Sequence, residues 1–229
     1  VQTLERARSP TLMRLRASVL CLLVPFGGAC ADDSTSGREE RLLRAARNGD
    51  IQSVRGLLDL GADIETRNPG DGWTPLMWAA VRDQSGCIRL LLARGALIEA
   101  RDRKGLTALM AAARWGRKEG VNALLEGGAR IGAVDLNGWN ALMWAVFKGQ
   151  TEMAAFLLDK GANIESRDPD GRTPLMLAAK KGQAKTVELL LARGASIDAR
   201  GPDSMTAADL AEKWGYRDMA KRIRASSSR

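Results

Sequence analysis

Acidic side chains recur along the chain where a general acid and base would be sought: Glu65, Glu99, Asp135, Glu165 and Asp198. Two carboxylates transfer protons efficiently when they stand in different environments around one reacting centre. These five instead recur at comparable places along the chain, as parts of a copied structural unit do. Four methionines, Met77, Met110, Met143 and Met176, stand 33 residues apart, and thioethers are soft ligands suited to copper. With one methionine per copied unit they fall at least a packed-helix spacing of ~8–10 Å apart, beyond the reach of a single ion. Histidine is absent from the sequence, which removes imidazole bases, Ser-His and Cys-His pairs and histidine metal ligands. The three cysteines, Cys21, Cys30 and Cys87, have no Cys-x-x-C spacing, so neither a zinc site nor a dithiol redox centre is indicated. No P-loop or Gly-x-Ser-x-Gly motif occurs. The expectation is a non-enzyme with no cofactor and no metal.

The 229 residues are 45% apolar and 27% charged, ordinary values for a chain that buries a core. The formal charge is +8, but it is unevenly placed. Arg6, Arg8, Arg14 and Arg16 against Glu5 give residues 1–29 a charge of +3. Lys213, Arg217, Lys221, Arg222, Arg224 and Arg229 against Glu212 and Asp218 give residues 211–229 a charge of +4, which leaves +1 for the centre. Proteins that track a phosphate backbone cluster their charge on the folded surface, so nucleic acid is disfavoured as a partner.

The first thirty residues read as an address. From Met13 the chain runs Met-Arg-Leu-Arg, then the apolar stretch Ala17–Phe26, then Gly27-Gly28-Ala29-Cys30. A short positive segment, an apolar run and small residues before a cleavage point make an export signal over 1–29. The apolar run falls short of the ~18–20 residues that span a bilayer. Residues 1–12 are read as lying upstream of the true start, since Met13 alone gives a well-proportioned signal. Gly28-Ala29-Cys30 resembles the end of a bacterial lipobox, which makes Cys30 the lipidation site, although Gly27 stands where that motif usually has Leu. The competing site, Ala29-Cys30-Ala31, would release a soluble chain at Asp32. A third reading keeps the chain in the cytoplasm behind an uncleaved leader. Residues 30–37 form a polar tether, and Cys87, in an apolar helical stretch, is expected to be a small buried hydrophobe.

Gly72, Gly105, Gly138 and Gly171 are spaced by 33, and Ser204 continues the series. Gly72 opens Gly-Trp-Thr-Pro-Leu-Met-Trp-Ala-Ala, and Gly171 opens Gly-Arg-Thr-Pro-Leu-Met-Leu-Ala-Ala. A second series, Gly61-Ala62, Gly95-Ala96, Gly128-Ala129, Gly161-Ala162 and Gly194-Ala195, marks the later half of each unit. Thr74-Pro75 and Thr173-Pro174 place a capping hydroxyl and a proline at a helix start. The alanines that follow let helices approach closely, apolar stripes such as Met153, Phe156, Leu157 and Leu158 mark a second helix, and the recurrent glycine ends it. Ile64, Ile98, Ile131, Ile164 and Ile197 then open an extended segment, with Asp102, Asp135 and Asp168 at its tip. The pattern resembles the ankyrin repeat. The resemblance implies an all-α repeat solenoid with short β-hairpin turns: five units and a C-terminal cap over 38–224, with 225–229 a frayed, disordered tail. The family's histidine after Thr-Pro-Leu is replaced by the four methionines, read as core residues, and by Asp209 in the cap.

The resemblance also implies a partner-binding surface, the concave groove formed by hairpin tips and first helices. The matching positions are Trp73, Val81 and Arg82; Leu106, Arg114 and Trp115; Trp139, Phe147 and Lys148; Arg172, Lys180 and Lys181; and Met205, Lys213 and Trp214. At these positions side chains are expected to face solvent, and tryptophan with arginine is the composition of interface hot spots. The alternative has the tryptophans folded back over the hairpin bases. Trp78 and Trp144 are read as inter-helix core. Lys148, Arg172, Lys180, Lys181 and Lys213 make the C-terminal half of the groove basic, which implies a partner protein with an acidic patch. Together these readings give a non-catalytic protein-interaction module of the bacterial cell envelope, on the periplasmic side, with a lipid anchor where Cys30 is modified. Within that class an inhibitor, such as an immunity protein against a periplasmic toxin, is an alternative to a scaffold. A basic binder of membrane surfaces or nucleic acid is the rival class, resting on the charged tail.

Overall fold

The structure, a computed structural model, describes residues 35–226. The segment 1–29 expected to be an export signal, Cys30 and the last three residues lie outside them. Helices follow in pairs: α1 (Thr35–Asn48) and α2 (Ile51–Asp59), α3 (Pro75–Val81) and α4 (Ser85–Ala93), α5 (Ala108–Arg114) and α6 (Lys118–Glu126). Then come α7 (Ala141–Phe147) and α8 (Thr151–Asp159), α9 (Pro174–Lys180) and α10 (Ala184–Ala192), and α11 (Ala207–Lys213) and α12 (Arg217–Ala225). Each first helix packs on its own second helix and on the first helices before and after it, so α1, α3, α5, α7, α9 and α11 form one continuous row. Among the described residues no strand forms. The loops close as turns instead, for example with Asp102 N–H on Leu106 O at 3.0 Å and Asp135 N–H on Trp139 O at 3.0 Å.

The local chemistry follows the repeated sequence. Thr74, Thr107, Asn140, Thr173 and Thr206 are extended N-cap residues whose side chains accept a backbone N–H three positions on, satisfying one of the helix's orphan donors. The donors at the first four are the methionines, whose side chains are fully buried in the helix row. Met therefore fills the core position, and Cys87 is buried too. The glycines that close the second helices, Gly61 through Gly194, adopt φ of 79 to 93°, a conformation that costs other residues ~1–2 kcal/mol. Asp83 takes such a conformation without being glycine, at φ 62°. It caps the next unit, accepting Gly120 N–H at 2.6 Å. Burial, reinforced by its hydrogen bond to Glu119, raises its carboxyl above the ordinary value.

In the cap the residue at the methionine position does different work. Asp209 accepts from Thr206 N–H at 3.0 Å and from its hydroxyl at 2.8 Å, while Thr206 Oγ1 accepts Asp209 N–H at 3.3 Å. These bonds to Thr206, with Arg224 beside it, hold the Asp209 carboxyl below its ordinary value of 3.8. A lowered folded pKa contributes stability that is complete above the ordinary carboxylate range and is lost as pH falls through it. Asp209→Asn should therefore be less stable than the native chain at pH 6, with the gap in urea midpoint shrinking towards pH 3. A gap unchanged with pH would show that the carboxylate's charge contributes nothing to the cap.

The recurrent carboxylates join adjacent units through backbone bonds. Glu65, Glu99 and Glu165 each accept the N–H of the next unit's Leu97, Arg130 or Ser196 at 2.7–2.8 Å. Beside them, Arg67, Arg101 and Arg167 donate to Gly72 O, Gly105 O and Gly171 O and to the next unit's Arg101 O, Val134 O and Arg200 O, the latter at 2.6–2.8 Å. The third hairpin carries Gly132 and Val134 at these two places and makes neither bond.

Candidate functional site

The hairpins position a row of aromatic side chains. One carboxylate oxygen of each hairpin aspartate organises its own loop. Asp102 Oδ1 accepts Lys104 and Leu106 N–H, Asp135 Oδ1 accepts Asn137 and Trp139 N–H, and Asp168 Oδ1 accepts Asp170 and Arg172 N–H, at 2.8–3.1 Å. The second oxygen takes an indole. Trp73 Nε1 donates to Asp102 Oδ2 at 3.0 Å, Trp144 Nε1 to Asp135 Oδ2 at 3.0 Å, and Trp139 Nε1 to Asp168 Oδ2 at 3.1 Å. Two of these bonds, from Trp73 and Trp139, reach forward to the following hairpin loop.

The rings then pack edge to face, Trp73 on Trp78 at 4.8 Å between centroids, and Trp139 on both Trp144 and Phe147 at 4.9 Å. This arrangement suits the aromatic quadrupole. Cations cover the ring faces. Arg47 lies 5.1 Å from Trp78, Arg114 4.7 Å from Trp144 and 5.9 Å from Trp115, Lys181 4.4 Å and Lys148 5.8 Å from Phe147, and Lys180 5.1 Å from Trp214. Such contacts are worth about 0.5–1 kcal/mol at exposed sites and more when desolvated.

Several expectations change here. Trp73 and Trp139 do not stand free in solvent. They are half-buried, folded over the hairpin bases and tied by their N–H groups. Trp78 and Trp144 are not inter-helix core but half-buried members of the same aromatic row. Leu106, expected to face solvent, is 2% exposed and belongs to the core, as does Val81, because the side chain packs inward at the foot of the second hairpin. Trp115 and Trp214 are open to solvent, at 48% and 54%. Arg82, Lys148 and Lys181 are exposed, while Arg114, Phe147, Lys180 and Met205 are half-buried.

The basic character is narrower than the sequence implied. Arg172 donates through Nε to Asp168 at 2.7 Å and pairs with Asp170 at 2.7 Å, and Lys213 faces Asp203 at 3.9 Å. Lys148, Lys180 and Lys181 form no ion pair among the described residues. The C-terminal cations are partly compensated as well, Arg222 by Glu188 and Arg224 by Asp209 and Glu212. Between Trp139, Phe147, Arg172, Leu177, Lys180 and Lys181 lies a hollow of about 100 Å³. Sequence reasoning missed Arg47 and the indole-holding role of the aspartates. The aspartates had already marked the loop tips, so their spare oxygen was the available signal.

No helix among the described residues is long and apolar enough to cross a membrane. The family description "Ankyrin repeats (3 copies)" matches residues 42–135, 127–201 and 162–226. The chain is 40% identical over 68 residues to Ankyrin repeat domain-containing protein 40 of Mus musculus, covering 30% of this chain and 19% of that protein. It is 40% identical over 67 residues to Mitochondrial disaggregase of Homo sapiens, covering 29% and 9% respectively. It is 35% identical over 69 residues to 2-5A-dependent ribonuclease of Mus musculus, covering 30% and 9%. The chain thus spans less than a fifth of the length of these curated relatives, and the likeness concerns the repeats.

Proposed function

The chain belongs to the ankyrin-repeat family, and on that premise we propose that it is a non-catalytic module that holds a partner protein on its hairpin and first-helix face. The observation that carries this reading is the aromatic row with its stacked cations, which leaves Trp115 and Trp214 open and, among the described residues, Lys148, Lys180 and Lys181 without an ion pair. Aromatic residues and arginine dominate the energetics of protein interfaces, and unpaired cations on one face favour a partner with an acidic patch through on-rate and specificity. The variant Trp115→Ala with Trp139→Ala should lose captured partners, and Trp115→Ala with Trp214→Ala should lose them without touching a hydrogen-bonded indole. Both should keep native helicity by circular dichroism. Equal capture of the same proteins by wild type and the second variant would overturn the assignment of this face.

The place of action we propose is the bacterial cell envelope, on the periplasmic side, and it rests on the sequence before residue 31. Mass measurement of the mature chain should find a diacylglyceryl-modified Cys30 at its N-terminus. An unmodified chain starting at Asp32 would replace the anchor with simple export, and an intact leader would place the protein in the cytoplasm.

A further inference from the structure

We propose that the partner presents an acidic polypeptide segment with one aliphatic side chain, and that this side chain seats in the hollow between the fourth and fifth units. The inference deepens the docking reading above and rests on it. The hollow exists because the copied units differ. The fourth unit has Trp139, Trp144 and Phe147, but the fifth has Arg172 where Trp139 would repeat and Leu177 where Trp144 would. Leu177, 3% exposed, becomes a floor. Trp139 and Phe147 form walls, and the stems of Arg172, Lys180 and Lys181 complete the lip, apolar chains that keep their charges in water.

The size limits the occupant. Small-molecule sites are typically ~300–1,000 Å³, so about 100 Å³ accommodates one side chain rather than a free ligand. The charge sets its surroundings. Lys181 and Lys148 lie over the Phe147 ring at 4.4 and 5.8 Å from its centroid, and Lys180 over Trp214 at 5.1 Å. Among the described residues the carboxylates beside them, Asp168 and Asp170, are both engaged by Arg172. Two lysines without an ion pair among the described residues, Lys180 and Lys181, thus line an apolar hollow, with Lys148 over its Phe147 wall, and a segment with carboxylates on both sides of an aliphatic residue complements both features. A nucleic acid is a poorer match. Stacking a base requires an open aromatic face, and these rings are packed edge to face, tied through their N–H groups or covered by ammonium groups.

The test uses the full chain, labelled with ¹⁵N at tryptophan, and two synthetic peptides, Glu-Asp-Glu-Leu-Glu-Asp-Glu and the same sequence with Ser in place of Leu. The leucine peptide should move the Trp139 indole N–H resonance saturably and bind about tenfold tighter than the serine peptide, the effect of burying one aliphatic side chain. Leu177→Trp, which copies the fourth unit's residue and fills the hollow, should abolish that tenfold difference while leaving the salt-sensitive binding common to both peptides. Equal binding of the two peptides to the wild type overturns the hollow. If the tryptophan variants still lose their protein partner, the docking face itself stands. Displacement of the leucine peptide by oligo-dT at equal charge overturns the acidic segment in favour of a nucleic acid.

Discussion

Replacing Asp168 with Ala should lower the stability of the domain by about 3–5 kcal/mol, the usual cost of leaving buried polar groups without their charged partner. The side chain is fully buried and accepts four bonds. Two come from Asp170 and Arg172 N–H, at 3.1 and 2.8 Å, one from Arg172 Nε at 2.7 Å, and one from Trp139 Nε1 at 3.1 Å. In a domain of this size the loss corresponds to a fall in Tm of about 10 °C. The molecule supplies its own intermediate case. The first hairpin has Asn68 at the aspartate position, and its Oδ1 accepts Trp73 N–H at 2.6 Å, so asparagine can close the loop. Asp168→Asn should retain the loop bonds and release only the indole and the guanidinium. Its stability should fall less than that of Asp168→Ala, yet its Trp139 indole N–H should exchange with solvent as fast as in the alanine variant. A midpoint for Asp168→Ala within about 0.5 kcal/mol of wild type, the range of an inert surface change, would show that the carboxylate does not hold this corner together.

That corner shows where the sequence was readable and where it was not. Period, caps and helix ends repeat every 33 residues, and each is fixed by its own neighbours in the chain. Thr173 before Pro174 is a helix start whatever lies next to it in space. The methionines follow from the same logic, since a buried apolar site of fixed shape accepts a flexible side chain. The destinations of Trp139 and Arg172 depend instead on a partner in the adjacent loop: both converge on Asp168, which lies 29 residues beyond Trp139 and four before Arg172. Periodicity assigns such residues to a face, but it cannot say that an indole will turn down to meet a carboxylate instead of pointing outward. Leu106 shows the converse, since a position that carries Trp in two other units turns inward when the residue has no polar end to satisfy. The basic half of the face was overcounted for a related reason: charge is legible in sequence, while its neutralisation by Asp170 or Asp203 depends on side-chain geometry.

Installing the missing bonds at the third hairpin should stabilise the whole stack. Every other adjacent pair of full units is joined in its loop layer by the glutamate and arginine bonds, and second helices are paired by Asp59–Arg94, Arg89–Glu126 and Asp159–Arg193, with Glu188–Arg222 joining the cap. Between the third and fourth units, among the described residues, neither the loop bonds nor an ion pair occurs. What remains is the helix row, the bonds within the hairpin that tie Asp135 to Gly138 and Trp139, the Trp144–Asp135 bond and the stacking of Arg114 on Trp144 and Lys118 on Phe156. Repeat arrays are approximately sums of unit stabilities and nearest-neighbour couplings, so they open first where a coupling is weak. The native chain should therefore show hydrogen exchange in two blocks, residues 35–137 and 138–226, with separate opening free energies. A side chain at Gly132 meets nothing within 4 Å, and Val134 is 42% exposed, so both places accept longer residues. Gly132→Glu with Val134→Arg should put a carboxylate on Asn163 N–H and a guanidinium on Gly138 O and Arg167 O, by analogy with the other hairpins. The expected gain is about 2 kcal/mol, or about 5 °C in Tm, with the two exchange blocks merging into one. The reverse change at the next junction, Glu165→Gly with Arg167→Val, should cost a similar amount and create a second break. If the double substitution raises neither the midpoint nor the exchange protection across residue 137, the hairpin bonds do not couple the units, and the cooperativity of the stack resides in the helix row alone.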